Sequence, residues 1–143
     1  KIKQALKAGL KVILCVGEKE RDEHGKYLDV IGKQLTESLM GVTRSQYNNV
    51  VIAYEPVWAI GTQATGADSP EGFQHNSLFI RKTISNVIGN KAALKVPVLY
   101  GGSASPKNAA DFLGTGGADG LLVGRASLES AKFGEILKIA NSI

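Results

Sequence analysis

Four short apolar runs punctuate the chain: Val12–Val16, Val50–Tyr54, Val96–Tyr100 and Leu121–Val123. None alternates cleanly with polar positions, so each predicts a strand buried on both faces, as in a parallel sheet. Between the runs, apolar positions recur at helical spacing. Ile2–Ala8 precedes the first strand. Leu28, Ile31, Leu35 and Leu39 mark a helix over Leu28–Met40. Ser69-Pro70-Glu71 reads as an N-cap followed by a first-turn proline. Phe73, Leu78, Ile80, Ile84 and Val87-Ile88 continue that helix to a stop at Gly89-Asn90. Pro106 opens a short helix, Ala109–Leu113, that Gly114 ends, and Ala131–Ile143 closes the chain. The order α-β-α-β-α-β-α-β-α predicts an α/β fold with a parallel sheet and right-handed crossovers. No linker or low-complexity stretch interrupts it, so residues 1–143 are expected to form a single domain. Four such units make either a small open sheet or half of an eight-stranded barrel.

Composition narrows the class without naming a chemistry. The 143 residues are 43% hydrophobic and 21% charged, ordinary for a globular domain with a real core. No apolar run approaches the ~18 residues of a membrane span, so no membrane partner is expected. The N-terminus, Lys1 to Lys7, is a basic helical segment and not a signal peptide. Because the chain opens on Lys1, inside a helix, an N-terminal portion is expected to be missing. The single cysteine, Cys15, excludes an internal disulfide and fits a reducing, cytoplasmic setting. Cys15 sits inside an apolar run and reads as inert core packing. The net charge of +4 suits an anionic ligand, but the lysines are scattered and read as a solvated surface. No basic cluster is interleaved with aromatics, so no nucleic-acid partner is expected.

The chemistry concentrates where strands end. The second strand runs straight into Tyr54-Glu55-Pro56-Val57-Trp58-Ala59-Ile60-Gly61-Thr62. A carboxylate at the C-terminal end of a buried strand is costly unless it has a role, and parallel β/α sheets place their chemistry at that end. The apolar neighbours Tyr54, Pro56 and Trp58 can desolvate Glu55, which suits a general base. An N-cap or a buried ion pair is the bland alternative. The loop from Pro56 to Asp68 exceeds an ordinary βα connection and reads as a lid, against a tolerated surface insertion. Tyr100-Gly101-Gly102-Ser103 and Val123-Gly124-Arg125-Ala126-Ser127 follow the third and fourth strands. Two neighbouring loops of small residues there fit a phosphate site made of backbone N–H groups. Gly114-Thr115-Gly116-Gly117-Ala118-Asp119-Gly120 precedes a strand and reads as a turn, not a dinucleotide loop. Glu18 is either catalytic or part of a solvated helix start. His24 and His75 show no metal-ligand spacing with any Cys or Asp, so no metal is expected.

On these residues the sequence resembles the triosephosphate isomerase family. Tyr54 to Thr62 is similar to that family's segment around its glutamate and lid. Tyr100-Gly101-Gly102-Ser103 and Leu122-Val123-Gly124 are similar to its phosphate loops, and Cys15-Val16-Gly17-Glu18 to an earlier strand end. The resemblance covers essentially the whole chain and implies a (β/α)8 barrel of the TIM type. The match is to its last four β/α units only. It implies cofactor-free interconversion of dihydroxyacetone phosphate and glyceraldehyde 3-phosphate, a step of glycolysis and gluconeogenesis. Glu55 would be the catalytic base, with Ile60 and Leu122 as an apolar clamp. The backbone N–H groups of Gly61, Ser103, Gly124 and Arg125 would hold the phosphate. Glu18 would hold the Trp58 indole of the open lid, and Tyr100 would bond the closed one. In the lid itself, Gln63 replaces a usual glycine and the hinge is about two residues longer. Arg125 stands where glycine or asparagine is common, its side chain free to point away. The family's lysine, histidine electrophile and dimer loop match nothing here. The chain alone is therefore expected to be inactive or nearly so, while the parent would be a homodimer. The rival readings are a non-catalytic half-barrel that assembles through its open edges, and half of another phosphate-binding barrel.

Overall fold

A computed structural model describes residues 1–61, 64 and 66–143. Its elements run α1 (Ile2–Lys7), β1 (Val12–Val16), α2 (Tyr27–Ser38), β2 (Val50–Tyr54), α3 (Pro70–Ile88), α4 (Asn90–Ala93), β3 (Val98–Tyr100), α5 (Ala109–Leu113) and α6 (Ser130–Ala140). Single 3₁₀ turns cover Arg44–Asn49, Val57–Ala59 and Arg125–Leu128. The strands form one parallel sheet in the order β1-β2-β3. Val12 lies opposite Val50, and Ile52 opposite Val98.

The helices begin and end for local reasons. The Ser69 hydroxyl accepts from the N–H of Gly72 at 2.9 Å, and Pro70 fills the first turn of α3. Gly89, at φ 82°, ends it. Ahead of α2, the Asp22 carboxylate accepts from the N–H groups of His24, Lys26 and Tyr27. These bonds to the charged form outweigh its desolvation, which alone would raise its pKa, and hold it below the ordinary carboxylate value.

One face of the sheet is closed by helices. Ile52, Tyr54, Val98 and Tyr100 share a buried cluster with Ile31 and Leu35 of α2 and Phe73, Ile80 and Ile84 of α3. Phe112 of α5 stacks on Tyr100 with ring centroids 3.6 Å apart, and the Phe73 edge meets both rings.

The other face corrects the expectation that every strand is buried on both sides. Ile13 of β1 is 51% exposed and Cys15 is exposed as well, because no second layer covers that face among the described residues. Cys15 is therefore a surface thiol and not core packing. Two strands are also shorter than the sequence pattern predicts. Pro97 has no N–H, so β3 starts at Val98 and not at Val96. The expected Leu121–Val123 strand is reduced to one bridge between Tyr100 and Leu121. The Leu122 N–H still donates to the Tyr100 carbonyl at 2.9 Å, after which Gly124 leads into a 3₁₀ turn. The Gly114–Gly120 run is a turn that returns Asp119 to accept from the Val98 N–H at 2.6 Å.

Candidate functional site

Glu55 is placed by the ladder that β2 begins. Its N–H donates to the Val16 carbonyl at 2.7 Å, carrying the pairing one residue past Tyr54. Strand alternation then puts its side chain on the face of Ala53 and Val51, away from the helices. There the Cys15 thiol donates to Glu55 Oε1 at 3.5 Å. Two glycines make room. A Cβ at Gly17 would overlap the Glu55 carbonyl, and one at Gly101 would overlap Glu55 Cγ. Burial, followed by the facing Glu55 charge, pushes the Cys15 thiol up to about 11.

A cleft opens in front of this carboxylate. Its lining includes Glu55, Ile60, Gly61, Ser103, Leu122, Gly124 and Arg125, seven of the residues singled out from sequence. Gly101, Gly102, Lys107, Glu129, Lys132 and Glu135 line it as well. Lys132 is paired with Glu129 at 2.8 Å. Sequence reasoning missed both lysines, since Lys107 lies in a turn and Lys132 in the amphipathic α6, and no motif marks either. The Ser103 hydroxyl donates to the Ala59 carbonyl at 2.7 Å, tying the glycine loop to the Val57–Ala59 turn. The Ser103 carbonyl accepts from the Asn108 amide at 3.0 Å. Arg125 does not point away. Its guanidinium donates to the Gly61 carbonyl at 3.0 Å, joining two segments that line the cleft. Thr62 and Gln63 lie outside the described residues.

A buried polar network surrounds Glu18. Glu18 is 1% exposed, so it is no solvated helix start. It accepts from Trp58 Nε1 at 2.9 Å, from the Tyr54 hydroxyl at 2.9 Å and from Arg21 Nε at 3.4 Å. Its carbonyl also receives the Val57 N–H at 2.8 Å. Arg21 donates to both oxygens of Asp68, at 2.9 and 2.6 Å, and to Tyr54. Its guanidinium lies 4.9 Å from the Trp58 ring centroid. The Asp68 N–H donates to the Tyr100 hydroxyl at 3.0 Å. Glu18 and Tyr100 thus grip opposite ends of one loop, Trp58 at its start and Asp68 at its close. Burial, then the Glu18 charge, raises the Tyr54 hydroxyl far above its ordinary value, and burial pushes Tyr100 up to about 12. Burial alone would lower the Arg21 pKa, but Asp68 and Tyr54 together outweigh it and keep the guanidinium charged. Arg21 and Asp68 were not singled out from sequence. The only signal was Glu18 and Arg21 three residues apart, and no local pattern links either to Asp68.

His24 and His75 are exposed, and neither lines the cleft. Among the described residues no group of three or more His, Cys, Asp or Glu side chains is arranged to hold a metal ion.

The model of the family described as triosephosphate isomerase matches residues 1–140. The chain belongs to the triosephosphate isomerase family. The triosephosphate isomerase of Fusobacterium nucleatum subsp. nucleatum is 44% identical over 142 residues, covering 99% of this chain and 56% of that protein. Those of Chlorobium phaeobacteroides and Dictyoglomus thermophilum are 44% and 45% identical, over 98% and 96% of this chain and 55% of each relative. The chain spans about half the length of the curated relatives it matches. The fold of this triosephosphate isomerase family member is α/β, with a parallel sheet carrying helices. No helix among the described residues is long and apolar enough to cross a membrane.

Proposed function

We infer that this chain contributes the last four β/α units of a triosephosphate isomerase barrel, including its base and its phosphate grip. One observation carries the reading: Glu55 shares a single cleft with Gly61, Ser103, Gly124 and Arg125. A bound triose phosphate would place its phosphate against the backbone N–H groups of those four residues. Its carbon chain would then lie over the Glu55 carboxylate. Glu55 removes a proton from one carbon and returns it to the neighbour, passing through an enediolate. Ile60 and Leu122 line the same cleft, where a closed lid would make them a dry clamp over the base. The enzyme family is the type example of a glutamate base working beneath a closing lid.

Proton transfer also requires a donor for the charge that develops on the carbonyl oxygen. Neither histidine of this chain reaches the cleft. Loss of one such preorganised donor costs on the order of 10²–10³ in rate. The chain by itself is therefore expected to show little or no isomerase turnover, and an isolated chain that turned over near the rate of its full-length relatives would refute this assignment of roles. The base and the phosphate grip are tested separately with a phosphate-bearing epoxide. Mass spectrometry should find one adduct, on Glu55, suppressed by inorganic phosphate. Labelling spread over the other carboxylates would remove the reading.

A second reading, assembly through the open face, is favoured by the 51% exposure of Ile13 beside the unpaired edge of β1. It predicts self-association visible by light scattering, and a clean monomer would count against it.

A further inference from the structure

The end of the sheet opposite Glu55 carries an unassigned charged cleft. Its walls are the Arg44–Asn49 turn that leads into β2 and the α4–β3 connection, Lys91 to Val96. Arg44, Lys91 and Lys95 all line it, with Thr43, Ser45 and Asn48 adding hydroxyl and amide groups. Among the described residues, no carboxylate lines it. The sequence explains why: residues 38–54 and 72–110 contain neither aspartate nor glutamate. Among the described ion pairs, none uses Arg44, Lys91 or Lys95. All three residues are exposed. Three like charges gathered in one concavity repel one another, and a bound anion would relieve that repulsion. The same wall holds Tyr47, 3% exposed, whose buried hydroxyl finds no partner among the described residues. Five residues of β2 separate this cleft from Glu55, roughly 17 Å at about 3.3 Å per residue. The two sites do not overlap.

We propose that this cleft binds a compact polyphosphate, a small ligand with two or more linked phosphate groups. Three cations supplied by two chain segments match a ligand whose charge extends over several ångströms better than a single phosphate. The wall has no exposed aromatic ring on which a base could stack, which separates it from a single-stranded nucleic-acid groove. A simpler account exists for one residue only. Arg44 lies near Gly89, 4.0 Å from where a Cβ would stand, and faces the carbonyl end of α3. That account leaves Lys91 and Lys95 unexplained.

The test is an amide and side-chain NMR titration of the 143-residue chain with inorganic tripolyphosphate at low salt. Saturable shifts centred on Arg44, Lys91 and Lys95 are expected, with affinity falling as salt rises. The double variant R44Q/K95Q should bind at least tenfold more weakly. K33Q removes a charge already paired with Glu37 and should bind unchanged. Orthophosphate should be weaker here and shift Ser103 and Gly124 instead. Shifts confined to the Ser103–Arg125 cleft, shifts that never saturate, or an R44Q/K95Q chain that binds equally well would each overturn the proposal. The shift map of the unsubstituted chain decides the matter even if a variant folds poorly. Its outcome is also independent of the Glu55 labelling experiment, because the two clefts are read by different signals.

Discussion

Replacing Glu18 by glutamine perturbs the network behind the lid while nearly keeping its shape. The carboxylate is 1% exposed and takes two short charged hydrogen bonds, from Trp58 and Tyr54, and a longer one from Arg21. A hydrogen bond to a charged partner contributes about 1.5–3 kcal/mol, against roughly 0.5–1.5 for a neutral one, so each short bond loses about 1 kcal/mol. The glutamine amide also presents an NH₂ group in place of one of the two accepting oxygens, and this adds a further fraction. Arg21 keeps its two-pronged contact with Asp68, so no guanidinium is left unpaired. The total is a destabilisation of about 2–3 kcal/mol, and Glu18→Ala should cost more, about 3–5, because a buried partner disappears outright. Urea unfolding followed by far-UV circular dichroism reads the loss. Trp58 is the chain's single tryptophan, so its emission reports on the lid without labelling. It should shift to the red in E18Q as the indole loses its anchor. A loss under ~0.5 kcal/mol with unchanged emission would show that the network neither holds the lid nor supports the fold.

Three further outcomes follow from the same geometry. Gly101→Ala brings a Cβ onto Glu55 Cγ and within 2.9 Å of Oε1, so the carboxylate must swing away. Epoxide labelling of Glu55 should fall by roughly 10²-fold and stability by about 1–3 kcal/mol, read by mass spectrometry and thermal melting. Asp22 has a lowered pKa in the fold, so between the folded and unfolded values the unfolded chain binds more protons. Its contribution is present above the ordinary aspartate pKa and lost as pH falls through the lower folded value, so Asp22→Asn should flatten the fall in melting temperature below about pH 4. Cys15 is exposed, yet its thiol lies up at about 11. Iodoacetamide alkylation, followed by mass spectrometry, should be slow at pH 7 and keep rising beyond pH 10, where an ordinary thiol has levelled off.

What the sequence determined by itself was local and periodic. The Val50–Tyr54 run and the Ser69-Pro70 cap are both fixed within a few residues, because strand burial and helix capping are near-neighbour effects. The carboxylate that follows Tyr54 and the glycine pair that follows Tyr100 can be read off the sequence for the same reason. Where the sequence misled, a distant part of the chain intervened. Cys15 lies in an apolar run, but only the sheet's uncovered face decides that it is exposed. Leu121–Val123 has a strand's composition, but among the described residues it has, beyond its single bridge to Tyr100, no outer partner to complete a ladder. Glu18 could have been solvated. It is buried because Trp58, Tyr54 and Arg21 converge on it from positions up to 40 residues away. The pairing of Arg21 with Asp68, the reach of Arg125 to Gly61 and the gathering of Arg44 with Lys91 and Lys95 were likewise tertiary decisions. Charges far apart in the chain carry no mutual signal in its periodicity, and only the packing of β/α units brings them within interaction distance.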